Sequence, residues 1–157
     1  AVRVVAANGN ADDFAEFVRR YEAATSPQEE RRYLFALPIF RGETEIAAVL
    51  DLLDTDRVRS QDGGFVLGHL LAQSGAASRT WGYIELNWER IGRRYPDNSL
   101  PRMMDGAAAV ADPAVADAIA AFFETHELPQ AGQRLFQQLE RMRVNVALRA
   151  RLREQLG

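Results

Sequence analysis

Along most of this chain apolar residues recur at every third or fourth position, the spacing that gathers side chains on one face of an α-helix. Phe14, Phe17, Val18 and Tyr21 follow it, then Tyr33, Leu34 and Leu37, then Ile46, Val49, Leu50 and Leu53. Phe65, Leu67, Leu70 and Leu71 make a fourth set, and Val115, Ile119, Phe122 and Phe123 a later one. Leu135, Leu139, Met142 and Val146 mark a long final helix that is amphipathic almost to its last residue. A weaker helix with Met103 and Met104 starts at Ser99-Leu100-Pro101 and runs into alanines. No stretch alternates convincingly with period two, so the pattern predicts an all-α fold of about eight helices. Only the opening Ala1–Ala7 is ambiguous between helix and strand, before Asn8-Gly9-Asn10 interrupts it.

Polar residues punctuate the pattern where helices must begin and end. Ser26-Pro27-Gln28-Glu29 combines an N-cap serine, a proline at the first helical position and a glutamate three residues on, a capping box. Asp12 and Asp13 suit the positive end of a helix dipole, Ser60 or Asp62 caps a helix that stops near Gly75, and Asp112-Pro113 opens another. The middle of the chain carries both tryptophans. Ser78 to Ile91 reads as one central helix, capped by Ser78 and stopped by Pro96, with Trp81, Ile84, Trp88, Ile91 and Tyr95 on one stripe. Tyr83 and Leu86 point the opposite way, which predicts neighbours on both sides of this helix. If Trp88 is buried there, its truncation to alanine should cost about 3–5 kcal/mol.

Paired helices beginning near residues 11, 43, 79 and 113 repeat at roughly 34 residues, which suggests stacked antiparallel hairpins in a HEAT- or armadillo-like α-solenoid. The tetratricopeptide pattern of tryptophan, Leu-Gly and tyrosine does not recur at that period. With 157 residues and no flexible linker, the chain is expected to form a single domain over 1–157. A composition 47% hydrophobic and 26% charged belongs to neither a disordered chain nor a membrane span. The net charge of −3, mixed along the sequence, gives no general attraction for nucleic acid, so neither nucleic acid nor membrane is an expected partner. All basic residues are arginine, a habit of GC-rich genomes, and a bacterial, cytoplasmic parent is the expectation. The chain starts at Ala1 rather than methionine and shows no charged leader with an apolar segment, which suggests a processed chain or a piece of a larger one.

Candidate chemistry is sparse. Without cysteine there are no disulfides, thiolate metal sites or cysteine nucleophiles. His69 and His126 are far apart, and His126-Glu127-Leu128-Pro129 supplies no second imidazole one turn on, as a helical zinc site requires. Gly-x-Ser-x-Gly is absent, and Gly63-Gly64 lacks the lysine and further glycines of a phosphate loop. No catalytic, cofactor or metal residue is assigned. The polar residues set within apolar stretches carry more information: Arg59, Gln61 and Asp62 lie between two buried helices, and Arg143 and Asn145 sit in the last one. They read as braces between helices, with arginine gripping carboxylates or helix-end carbonyls, in preference to ligand contacts.

Several of these segments together resemble one known family. Ser26-Pro27-Gln28-Glu29-Glu30-Arg31-Arg32-Tyr33-Leu34-Phe35-Ala36-Leu37 is similar to the start of the C-terminal helical domain of zinc aminopeptidases, the family of aminopeptidase N, puromycin-sensitive aminopeptidase and the endoplasmic reticulum aminopeptidases. Val58-Arg59-Ser60-Gln61-Asp62 resembles that domain's Val-Arg-x-Gln-Asp turn, and Trp81 to Trp88, with Asn87, its Trp-x-Phe-x-x-x-Asn-Trp helix. Phe122-Phe123 and Leu139-Glu140-Arg141-Met142-Arg143-Val144-Asn145-Val146 resemble its aromatic pair and final helix, in the same order. Leu148 departs from the family's usual tryptophan, and Gly75–Ser78 from its Asn-Pro-x-Gly-Arg turn.

The resemblance implies a non-catalytic domain whose parent is a zinc metallo-aminopeptidase, with zinc and the His-Glu-x-x-His motif in a separate catalytic domain of the same polypeptide. It further implies a role in covering the active-site chamber, governing peptide access and linking opening and closing to turnover. The alternative reading is a free-standing helical-repeat adaptor that binds a protein partner on its concave surface.

Overall fold

The computed structural model describes residues 2–156. All regular structure among them is helical, with ten α-helices and two short 3₁₀ turns and no strand. The chain divides into two compact units, residues 1–59 and 60–157.

The first unit contains α1 (Val2–Asn8), α2 (Ala11–Glu22), α3 (Pro27–Leu34), a 3₁₀ turn at Leu37–Ile39 and α4 (Glu43–Leu53). The ambiguous opening is therefore helical from Val2 on, Ala1 lying outside the described residues, and Asn10 is what separates it from α2. Asn10 Oδ1 accepts from the backbone N–H groups of Asp12 and Asp13, and the Asp13 carboxylate accepts from the Asn10 N–H, a reciprocal capping box. Asn10→Ala should lower stability by about 1 kcal/mol, measured as a shift of the urea midpoint. Ser26 caps α3 through Oγ to the Glu29 N–H at 3.2 Å, with Pro27 at the first helical position. The core of this unit is aromatic: Phe40 meets Phe14 and Phe17 edge-on at 5.2 and 5.3 Å, and Phe17 meets Tyr33 at 5.5 Å. Phe40 lies outside every helical stripe and is almost wholly buried.

The second unit contains α5 (Ser60–Ala72), α6 (Ala77–Leu86), α7 (Trp88–Arg94), α8 (Leu100–Asp105), a 3₁₀ turn at Gly106–Ala109, α9 (Pro113–Phe122) and α10 (Gly132–Leu156). Asp112 caps α9 by accepting from the Ala114 N–H at 2.9 Å. Helix α5 buries Val66, Leu67, Leu70 and Leu71, while Phe65 is only half-buried, so Val66 takes the place expected of Phe65. Gly64 and Gly68, one turn apart on the same face, let the α8 backbone approach α5 very closely. A Cβ on Gly68 would stand 2.7 Å from the Arg102 carbonyl oxygen, and one on Gly64 2.5 Å from that of Ser99.

The expected central helix is two helices. Asn87 ends α6 because its backbone N–H and its side-chain Nδ2 both donate to the Tyr83 carbonyl, at 3.1 and 2.8 Å. Its own carbonyl then accepts from the Ile91 N–H and starts α7. Ser78 is the second residue of α6 rather than its cap, since the helix begins at Ala77. Helix α6 does pack against an earlier helix, α5, and a later one, α9, but not through Tyr83 and Leu86: Leu86 is 86% exposed, and Tyr83 only half-buried. One stripe, with Trp81, Ile84 and Ile91, is buried, as in an ordinary surface helix. Trp88 is half-buried.

Candidate functional site

The eight polar and aromatic residues singled out in the sequence do not converge on one centre. In the first unit Arg59 donates to the Glu30 carboxylate at 2.7 Å. In the second, Gln61 is exposed and Asp62 buried, both in the first turn of α5. Trp81 and Trp88 lie against Phe122 and Phe123, with ring centroids between 5.2 and 6.1 Å apart. Asn87 is spent on the helix break. Arg143 pairs with Glu140 one turn away at 3.8 Å, and Asn145 Nδ2 donates to the Ala108 carbonyl, joining α10 to the 106–109 turn.

The first unit has a polar hollow of 430 Å³ lined by Tyr21, Glu22, Ala24, Glu30 and Arg57. Its charges are matched in place: Arg57 bonds Glu22, Arg59 bonds Glu30, and the Tyr21 hydroxyl donates to the Arg57 carbonyl at 2.6 Å. Beside it on α2, Arg20 donates to Glu16 at 2.6 Å and to the Tyr33 hydroxyl at 3.0 Å. The Arg20 hydrogen bond holds the Glu16 carboxyl below the usual carboxylate range. These pairs are solvent-exposed, which keeps their energetic weight small.

The densest polar cluster of the second unit centres on a residue the sequence reading passed over. Asp105, at the end of α8, accepts two bonds from Arg134, at 2.8 and 2.6 Å, and a third from Gln138 Nε2 at 3.0 Å. Arg102 approaches the same carboxylate at 3.8 Å and lies over the Phe65 ring. A cavity of 190 Å³ next to it is lined by Phe65, Gly68, His69, Ala72, Arg102, Asp105 and Gly106. One carboxylate among two guanidiniums leaves the local balance positive, but the fork of Arg134 is already filled by Asp105. The arrangement clamps α10 to α8. Asp105→Ala should cost about 1–3 kcal/mol in a chemical melt, because it leaves the amide of the 92%-buried Gln138 without its acceptor, whereas the half-exposed Arg134 can turn to water. The only sequence signal was the four-residue spacing of Arg134 and Gln138 on the inward side of α10.

The donors this chain offers do not fit a catalytic metal. Among the described residues no three of His, Cys, Asp and Glu come together in a group able to hold one. His126 stacks flat on Phe122 at 3.8 Å, with its Nδ1 3.0 Å from the Phe122 carbonyl at the end of α9. Among the described residues no helix is long and apolar enough to cross a membrane.

Comparison with known proteins adds what the geometry does not carry. A family model described as the ERAP1-like C-terminal domain matches residues 1–144. Glutamyl aminopeptidase of Bos taurus is 28% identical over 145 residues, 88% of this chain but 15% of that enzyme. Aminopeptidase M1-C of Oryza sativa subsp. japonica is 27% identical over 138 residues, 87% of this chain and 16% of its own length. Glutamyl aminopeptidase of Bitis rhinoceros is 32% identical over 89 residues, 55% of this chain and 9% of its own.

Proposed function

Because the chain belongs to the ERAP1-like C-terminal domain family, we propose that it is the non-catalytic helical domain of a zinc-dependent aminopeptidase, packing against a catalytic domain of the same polypeptide and limiting which peptides reach the active site. The observation that carries this reading is the pairing of a family match over residues 1–144 with a sequence that has no metal-binding helix and no nucleophile motif. The chain spans only about a sixth of the length of the aminopeptidases it matches, which leaves the chemistry, and the zinc with it, to the rest of such an enzyme. What this part contributes is packed helices, fixed by caps at Asn10, Ser26 and Asp112 and, in the second unit, by the Asp105 clamp.

The test has two arms. The chain alone, with zinc added, should hydrolyse aminoacyl-anilides only at background rate, and robust zinc-dependent cleavage would overturn the non-catalytic reading. In a parent enzyme, removing the region that corresponds to this chain should flatten the dependence of kcat/KM on peptide length while single-residue anilides are still cleaved. An unchanged length preference would overturn the role in access.

A further inference from the structure

Asn8-Gly9, where α1 ends, is the one asparagine-glycine step in the chain. The fold gives each residue a reason to stand there. Asn8 Nδ2 donates to the Val4 carbonyl at 2.9 Å and closes the last turn of the helix. At Gly9 a Cβ would meet Phe40 Cε1 at 2.6 Å and the Val5 carbonyl oxygen at 2.9 Å, so the seating of α1 on the aromatic core requires glycine. Packing thereby sets a main-chain nitrogen that no side chain shields next to a carboxamide. Such a nitrogen can attack the amide carbon, and glycine leaves the approach open.

Little holds this step closed. Asn8 is exposed, and α1 has seven residues, of which Ala6 is the buried one. So short a helix is marginal and frays, and ring closure needs only its last turn to open. The other asparagines are better protected. Asn10, Asn87, Asn98 and Asn145 precede Ala11, Trp88, Ser99 and Val146, each with a side chain over the attacking nitrogen. Asn87 and Asn145 are bonded to the Tyr83 and Ala108 carbonyls, and the Ser99 N–H donates to the Pro96 carbonyl at 2.8 Å. Two aspartate-glycine steps could close the same ring, but both are fixed: Asp62 is 1% exposed in the first turn of α5, and Asp105 accepts from Arg134 and Gln138.

We infer that Asn8-Gly9 is a site of spontaneous deamidation whose products loosen α1 from the first unit. Gly9 N bonds to Asn8 Cγ to form a succinimide, while the Cγ–Nδ2 bond breaks and ammonia leaves with the Gly9 amide proton. Water then opens the ring at Cγ to give aspartate, or at the main-chain carbonyl to give a β-linked isoaspartate. Both products lose the Nδ2 donor to Val4 and put a carboxylate at the negative end of α1. The β-linked one also lengthens the main chain by a methylene beside Gly9, where Phe40 leaves no room. The site is independent of the aminopeptidase reading.

The 157-residue chain, incubated at mildly alkaline pH and mapped by peptide mass spectrometry, should convert Asn8 about tenfold or more faster than any other asparagine. Ammonia should be released, and the rate should rise with hydroxide. Isoaspartyl methyltransferase should label the Asn8-Gly9 peptide and neither Asp62-Gly63 nor Asp105-Gly106. Aged parent chain should unfold at lower urea than fresh chain and exchange the amide hydrogens of α1 about tenfold or more faster. Asn8→Gln keeps an amide but would need a larger ring, so after the same incubation, and folded by circular dichroism, it should stay unlabelled and match its fresh form. Asn8 intact while another asparagine converts would overturn the site. Converted chain with unchanged exchange in α1 would overturn the loosening.

Discussion

Gly106→Ala is expected to destabilise this protein by about 3 kcal/mol or more, the upper end of what overpacking a core costs. A methyl group at Gly106 would fall on the Gly68 carbonyl oxygen, with the Gly68 carbonyl carbon at 2.8 Å and its Cα at 3.0 Å. These are backbone atoms in the middle of α5, which cannot swing aside as the tip of a side chain can, so the 106–109 turn and α5 must separate. Separation would also loosen the neighbouring approaches of Gly64 to Ser99 and of Gly68 to Arg102. Because a domain of this size holds only about 5–15 kcal/mol of net stability, the urea midpoint should fall steeply. The control is internal. Gly82 and Gly92 also lie in helices, yet a Cβ at either meets nothing within 4 Å. Alanine there should be neutral or stabilising by up to about 1 kcal/mol, through helix propensity alone. Equal effects at Gly106 and Gly92 would show that close packing is not what Gly106 supplies.

Trp81→Ala should cost about 3–5 kcal/mol, and Trp88→Ala clearly less, about 2 kcal/mol. Both indoles touch the same phenylalanine pair, but Trp81 is buried on α6 whereas Trp88, set off by the break at Asn87, keeps one side in solvent. Trp81 carries a second, opposing term. Its Nε1–H is buried without a hydrogen-bond partner among the described residues, which costs about 1–3 kcal/mol relative to a satisfied donor. Trp81→Phe therefore recovers part of the loss that Trp81→Ala incurs, and the order of stability should be parent and Trp81→Phe close together, Trp88→Ala below them, Trp81→Ala lowest. Thermal melts of the three variants check it, and a Trp88→Ala variant as damaged as Trp81→Ala would contradict the burial difference.

Repeats of three and four in the apolar positions were sufficient to give the all-helical class, because amphipathic periodicity is a local property of one segment. Caps were equally legible at Ser26 and Asp112, where a short side chain reaches the N–H two or three residues ahead and needs no partner from elsewhere. The family, too, was legible, since Ser26 to Leu37, Trp81 to Trp88 and Leu139 to Val146 appear in one order along the chain. What only tertiary structure decided involves groups distant in sequence. Periodicity could not say that Leu86 faces water or that Asn87 would turn its amide back onto Tyr83, because a continuous helix satisfies the same stripe. Nor could it pair Asp105 with Arg134 and Gln138, or Gly106 with Gly68, since those pairings follow from how closely two backbones can approach after the helices have folded.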